Sequence, residues 1–329
     1  NGRQPEIEKG IMRKRGWNRP EEQGSSLWKD AFLRLSRNRA AMFSLLALAL
    51  IAAACFLGPL LPWLPHPNVQ DLSRIAESPS WGHWFGTDQL GRDLLARVLY
   101  GGRISLLVGV VATGVSLVIG VAYGLVSGYA GGRLDALMMR LVDVLFALPF
   151  IVLVIIFSLS VEEPARRLTQ WVSGMTGWSV EMVSPMTGLI PLFIAIGALG
   201  WLTLARIVRT QTMELKGQEF VEAARSLGIG HMKILFRHIA PNLFGAVIVY
   251  TTLAVPGIML LEAVLSFLGL GVKAPNSSWG TLIKEGADRM EVSPELLLFP
   301  ALLFSATLLA LNFLGDGLRD ALDPKSSRD

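Results

Sequence analysis

The stretch Glu219-Phe-Val-Glu-Ala-Ala-Arg-Ser-Leu-Gly-Ile-Gly-His-Met-Lys-Ile-Leu-Phe-Arg-His-Ile-Ala-Pro241 decides how the rest of the chain is read. It is the longest charge-bearing interruption in an otherwise apolar second half. Phe220, Ala223, Ala224 and Leu227 recur at i, i+3, i+4 and i+7, so the first part predicts a helix with one apolar face. Gly228 and Gly230 break that helix, as glycine does where the backbone needs left-handed or open conformations. Met232, Leu235, Phe236 and Ile239 repeat the spacing in a second short helix, which Pro241 is expected to stop. Neither helix is long enough to persist in water without burying its apolar face. The flanks read as membrane spans, so this is a two-helix docking element slung between spans.

Working outward, the 329-residue chain is 52% hydrophobic and 17% charged, with mean hydropathy +0.48. That composition belongs to polytopic membrane proteins rather than to a soluble domain. Spans are expected at 40–64, 104–126, 134–161, within 182–205, within 243–268 and within 296–315. The second contains Gly120 and Gly124, with Gly128 just beyond, a small-xxx-small face that permits close helix approach. The third carries Arg140, Asp143 and Pro149. Loop 65–103 carries Trp81 and Trp84, suited to an interfacial aromatic belt. Connection 162–188, with Trp171 and Trp178, is longer than a hairpin needs and is expected along the membrane surface. Residues 1–39 hold ten Lys/Arg against five Asp/Glu. Within them, Ser25-Ser26 precede an amphipathic helix with Trp28, Ala31, Phe32 and Leu35 on one face, suited to the lipid headgroup region. An ordinary cytosolic helix is the alternative.

A cleaved signal peptide does not fit the first span. The preceding tail is too long and the apolar run continues past Cys55. That lone cysteine excludes an internal disulfide and a cysteine-rich metal site. The chain begins at Asn1 rather than Met, and its true N-terminal start is left open.

The pI near 9.4 is explained by topology. With the N-terminus inside, 20 of the 30 Lys/Arg fall in the tail, Arg133, the 206–241 loop and residues 316–329, against 9 on the opposite side. This positive-inside bias predicts both termini and the 206–241 loop in the cytoplasm. A helix-turn-helix reading of 219–241, with Arg225, Lys233 and Arg237 on phosphate, is weakened by the tether between two spans. No nucleic-acid partner is expected.

Enzyme chemistry finds no foothold. There is no G-x-x-x-x-G-K-[ST] to cradle phosphates and no H-E-x-x-H. His66, His83, His231 and His238 are scattered, and no nucleophile-elbow sequence is present. Asp88 and Asp93 have metal-ligand chemistry, but the neighbouring arginines make salt-bridged packing the better reading. Asp143 and Glu262 lie in or near spans, where ionisable groups are costly and often functional. Arg140, three residues before Asp143, is its expected partner. Glu262 has no obvious local one, which leaves lining of a path or contact with a partner subunit open. An ion-coupled secondary transporter is the rival class.

Several motifs together carry a family resemblance. Glu222-Ala223-Ala224-x-x-x-Gly228, with Pro241 downstream, resembles the EAA loop of the permease subunits of binding-protein-dependent ABC importers. The usual I-x-L-P ending appears here as His238-Ile-Ala-Pro241. Gly86-Thr-Asp-x-x-Gly-Arg-Asp93, Tyr100-Gly-Gly-Arg-Ile-Ser105, Leu265-Ser-Phe-Leu-Gly-Leu-Gly271 and Gly315-Asp-Gly-Leu-Arg-Asp-Ala-Leu-Asp-Pro324 are similar to the peptide-transporting branch. Met290-Glu-Val-Ser-Pro294 and the C-terminus most resemble the second permease of oligopeptide and dipeptide importers.

The resemblance covers roughly residues 27–325, apart from 162–188. It implies an all-α polytopic protein with six transmembrane helices, in the type I ABC importer (MetI-like) permease fold. The division is a tail over 1–39, a first span over 40–64, a periplasmic loop over 65–103, a five-helix core over 104–315 with coupling loop 206–241, and a tail over 316–329. It further implies a bacterial inner-membrane setting surrounded by lipid and a homologous permease paired as a heterodimer. Two ABC ATPases would bind ATP and Mg in place of this non-catalytic chain, and a periplasmic or extracellular binding protein would deliver peptide. Dipeptides or nickel are alternative substrates within the same branch. The implied coupling residues are Glu222, which caps or salt-bridges the loop, Ala223 and Ala224, which allow close packing, Leu227, Gly228, which allows the bend, and Pro241.

Overall fold

The computed structural model describes residues 27–180, 183 and 187–322. All regular elements among them are helical, with one isolated bridge between Thr87 and Asp93. The expected Ser25-Ser26 cap and the end of the C-terminal tail lie outside the described residues.

Helix α1 (Leu27–Arg37) buries Ala31 but leaves Phe32 69% exposed. It turns through Asn38 into α2 (Arg39–Leu57), where the Asn38 side chain accepts a bond from the Ala41 amide at 3.2 Å. Ala41, Ser44 and Cys55 of α2 are buried, on the side packed against the rest of the bundle, and its remaining apolar face is left outward, as lipid requires.

Helix α3 (Leu94–Ala130) runs for 37 residues, about 55 Å at the α-helical rise. It starts ten residues before the expected span, and so shortens the expected 65–103 loop. Asp93 caps it by accepting from the Ala96 amide at 2.8 Å, and the buried Arg97 is neutralised by Asp88 at 2.7 Å and by Glu285. Charges that mark a loop in sequence are thus consumed inside the helix. Asp88 pairs with Arg92 and Arg97, as the neighbouring arginines suggested, whereas Asp93 pairs with His83 at 2.8 Å and caps α3 rather than meeting an arginine.

Helices α4 (Gly132–Ala147) and α5 (Phe150–Thr176) replace the single expected third span and meet at 98°. Pro149 forces its predecessor Leu148 into an extended conformation (φ −81°, ψ 146°), which ends the helix there. Helix α5 then continues to Thr176 and closes on Gly177 at φ 71°. Much of the expected surface connection is therefore helix, stitched by Arg166 and Arg167 to Glu162 and Glu163 one turn earlier.

Helix α6 (Ile190–Lys216) returns along α3. A Cβ on Gly124 would sit 2.6 Å from the Ala205 carbonyl oxygen and 2.7 Å from Val208, and Gly128 faces Arg209 and Thr212 just as closely. The small-residue stripe therefore packs within the chain, on α6. Helix α7 (Glu219–Ser226) and helix α8 (His231–Ile234) form the hairpin. A π-turn over Leu235–Ile239 leads into α9 (Ala240–Phe267). Helix α10 (Trp279–Ala287) starts on a Ser278–Thr281 capping box, and α11 (Glu295–Leu322) closes the bundle against α2. Among the described residues, five helices are long and apolar enough to cross a membrane, or six crossings arise if the bent α4–α5 pair is one span.

Candidate coupling hairpin and intramembrane polar groups

The hairpin is built from its glycine outward. Gly228 has φ 73°. Its amide donates to the Arg225 carbonyl at 2.9 Å, and the Ile229 amide donates to the Ala224 carbonyl at 3.1 Å. Those two bonds are a Schellman closure with glycine at the left-handed position. Ile229 and Ala224 pack in the same apolar cluster, the contact that accompanies this closure. Gly230 has ordinary extended angles (φ −64°, ψ 150°) and simply begins α8. The bend rests on Gly228 alone.

Pro241 does not stop the second helix. The rod runs from His231 to Phe267, because the π-turn lets the Ala240 amide reach back to the Leu235 carbonyl. The widened turn accommodates a residue that lacks an N–H and crowds the preceding turn.

The hairpin has two faces with different fates. Val221 and Ala224 of α7, and Ile234, Leu235 and Ile239 after the bend, are buried against Leu125, Leu204, Val208 and Leu243. Phe220, Leu227, Met232 and Phe236 are 40%, 79%, 67% and 61% exposed, and Ala223 lies on this outer side. The apolar stripe read from sequence is thus split: Ala224 faces inward and Phe220, Ala223 and Leu227 face out. Glu222 is exposed and, among the described residues, makes no ion pair. It sits in the first turn of α7, where a carboxylate favours the helix N-terminus.

Tyr129, at the end of α3, holds the hairpin at both roots. Its hydroxyl shares a 2.9 Å hydrogen bond with His231 Nδ1. Lys216 Nζ donates to its carbonyl at 2.6 Å and lies 5.5 Å from its ring centroid. Nothing in the sequence pattern singles out Tyr129, because its partners lie 87 and 102 residues away.

The intramembrane polar groups resolve into three sets. Asp143 pairs with Arg206 of α6, whose Nη2 donates to Oδ1 at 2.7 Å. The expected local partner Arg140 is exposed and, among the described residues, makes no ion pair. Asp135 is buried and takes two bonds from Arg209, through Nε and Nη2, plus one from Ser127. Glu262 is fully buried within the chain. It accepts from Ser266 at 2.6 Å and Ser105 at 3.1 Å. Ser105 in turn receives the Trp279 amide at 3.1 Å, and the Trp279 indole donates to the Val98 carbonyl at 3.0 Å. Glu262 therefore anchors the start of α10 between α3 and α9. A buried carboxylate is tolerable when its oxygens are satisfied in this way.

A helical bundle with a half-covered amphipathic hairpin at one end and buried, hydrogen-bonded carboxylates at Asp135 and Glu262 is the architecture of a polytopic membrane protein. Residues 120–328 match the family of binding-protein-dependent transport system inner membrane components. Residues 26–79 match the N-terminal TM domain of oligopeptide transport permease C. The chain belongs to this family of inner-membrane transport components. Among its relatives, the oligopeptide transport system permease protein OppC of Haemophilus influenzae is 46% identical over 304 residues, 92% of this chain and 90% of that one. OppC of Escherichia coli K12 is 47% identical over 307 residues, 93% of each chain. The dipeptide transport system permease protein DppC of Bacillus subtilis is 41% identical over 305 residues, 92% of this chain and 87% of that one.

Proposed function

We propose that this chain is one of two homologous permease subunits of an ATP-driven peptide importer, with oligopeptides as its main cargo. It forms half of the path and transmits the state of the ATPases to that path. Its partners are a second permease, two ABC ATPases that carry ATP and Mg, and a binding protein that delivers peptide from the other side. The positive-inside bias supports an orientation with both termini and the hairpin in the cytoplasm. The relatives' names support the peptide cargo.

The carrying observation is the two-faced hairpin. Its inner side is locked to α3, α6 and α9, while Phe220, Leu227, Met232 and Phe236 stay uncovered at the end of a membrane bundle. An amphipathic helix offering such anchors fits a hydrophobic groove on a soluble partner. Glu222, Ala223, Leu227 and Gly228 set the face and its bend, and Ala224 ties the face to the core.

The test is co-purification of the tagged chain from its own membranes, wild type against Leu227→Asp. Wild type is expected to bring a homologous permease and two ATPases. The variant should keep the permease and lose most of the ATPase. Equal ATPase recovery from both would remove the hairpin from this role. Uptake driven by a proton gradient, with no ATP present, would favour the secondary-transporter reading instead.

A further inference from the structure

We propose that Arg206, with the apolar crevice beside it, forms a subsite for the C-terminal carboxylate of a peptide in transit, which Asp143 occupies when no peptide is present. The proposal rests on the peptide-importer reading above and adds to it a place on this chain where cargo is held.

The first observation is exposure. Arg206 lies on α6, ten residues before its end at Lys216, and its partner Asp143 is on α4, the half of the bent pair that precedes the Pro149 break. The side chains of Arg206 and Asp143 are 44% and 63% exposed. A charge pair this open is costly against hydrocarbon, so its open side belongs toward water or protein rather than toward lipid.

The second observation is spare bonding capacity. One turn along α6, Arg209 grips Asp135 through two nitrogens, and Asp135 is 9% exposed. Arg206 gives Asp143 a single bond, from Nη2. A guanidinium has five N–H donors in a planar fork that matches a carboxylate through two parallel bonds. Arg206 can thus accept a second carboxylate, or exchange Asp143 for one, where Arg209 cannot without dismantling its site. The face of Arg206 is held by Phe146, with the guanidinium carbon 4.1 Å from the ring centroid, so the fork stays in place when Asp143 leaves.

The third observation is what adjoins it. Phe146 also lines a crevice of about 310 Å³ with Phe150, Gly200, Thr203, Gly257 and Leu261. Thr203 is one turn from Arg206 on the same helix. Arg206 does not line the crevice itself but stacks on Phe146 at its edge, and an apolar crevice with a fixed cation alongside matches the end of a peptide with an apolar last side chain and a free carboxylate. The occupant is identified by that chemistry. A C-terminal amide lacks the charge and should gain little from Arg206.

The experiment uses the complete importer with its binding protein, both permeases and both ATPases in proteoliposomes. Initial uptake of trileucine is compared with that of its C-terminal amide for wild type, Arg206→Gln and Asp143→Asn. The binding protein is common to all three, so its own preference cancels in the ratio. Arg206→Gln should lower free-acid uptake at least fivefold and amide uptake less than twofold. Asp143→Asn should keep the wild-type preference for the free acid or raise it.

Equal loss of both forms in Arg206→Gln would make the pair a structural latch and overturn the subsite, as would an unchanged ratio. If Arg206→Gln does not assemble, Arg206→Lys keeps the charge without the fork and should give a smaller fall in the same ratio. Where wild type takes up no amide, the free acid should shield Thr203→Cys from a thiol reagent in a Cys55→Ser importer. Shielding that persists with Arg206→Gln would overturn the proposal. Failure of wild type to take up either peptide with ATP present overturns the importer reading itself, which separates the two failures.

Discussion

Replacing Gly228 and Gly230 by the same residue should give opposite results, although the two glycines are two residues apart and both lack any neighbour within 4 Å of a Cβ. At Gly228 the cost is purely conformational. With φ 73°, an L-residue brings its Cβ against the following carbonyl, at about 1–2 kcal/mol. That is a factor of about 5 to 30 in the balance between the bent hairpin and its alternatives. Asparagine, which tolerates the left-handed region, should cost least, serine more, and valine most. At Gly230 the backbone already has the extended angles of a helix N-cap, and serine is a preferred residue there. Gly230→Ser should be neutral.

The assay is uptake by the assembled importer together with cargo-stimulated ATP hydrolysis, at matched membrane levels and with permease pairing checked. Uptake and stimulation should fall in the order Gly228, Asn, Ser, Val, while Gly230→Ser matches wild type. The spans make no contact with either substituted position, so insertion and pairing should hold throughout. Equal behaviour of Gly228→Ser and Gly230→Ser, or wild-type coupling by Gly228→Val, would refute the claim that the left-handed turn aims α7.

Two further outcomes follow from packing and topology. Gly124→Leu drives a side chain into the Ala205 carbonyl and Val208, so it should destabilise the α3–α6 pair by about 1–3 kcal/mol or more. That reads as a lower melting temperature of the detergent-solubilised complex, and an unchanged value would contradict the close approach. In a Cys55→Ser background, cysteines at Lys216 and Asn276 should react with an impermeant thiol reagent from opposite sides of the membrane. Reaction from one side would end the six-span reading, because one spanning rod, His231–Phe267, lies between the two positions.

What was legible in the sequence is what depends on neighbours within a turn or two. The apolar runs of α2, α9 and α11 report themselves, because lipid-facing helices need no distant partner. Gly228 is readable because its closure involves only Ala224, Arg225 and Ile229. The errors have a common origin in long-range contacts or backbone adjustment. Arg97 and Asp93 looked like loop charges because Glu285, which neutralises Arg97, is 188 residues away. Arg140 looked like the partner of Asp143 because helical spacing is the only proximity a sequence offers, whereas Arg206 lies 63 residues on. Ser266, one turn after Glu262, was within reach of that rule, but Ser105 was not. Pro149 and Pro241 invert expectation in opposite directions. The first breaks a span by 98°, and the second sits in a continuous rod because a π-turn precedes it.

The same contacts explain how a small hairpin can move a large bundle. Its buried residues, Val221, Ala224, Ile234 and Ile239, share one cluster with Leu125 of α3, Leu204 and Val208 of α6, and Leu243 of α9. Tyr129 fastens the roots of the hairpin to the end of α3 through Lys216 and His231. Helices α3 and α6 approach so closely at Gly124 and Gly128 that they cannot slide without clashing, and Asp135 joins α4 to both through Arg209 and Ser127. A force applied to the exposed face of α7 therefore meets no soft joint before it reaches α3, α4 and α6. The first weak connection on that route is the half-exposed, singly bonded Asp143–Arg206 pair, just before the chain bends at Pro149. Motion of the hairpin relative to the rest of the bundle should therefore be expressed there, beside Phe146 of the apolar crevice, rather than within the glycine-packed pair.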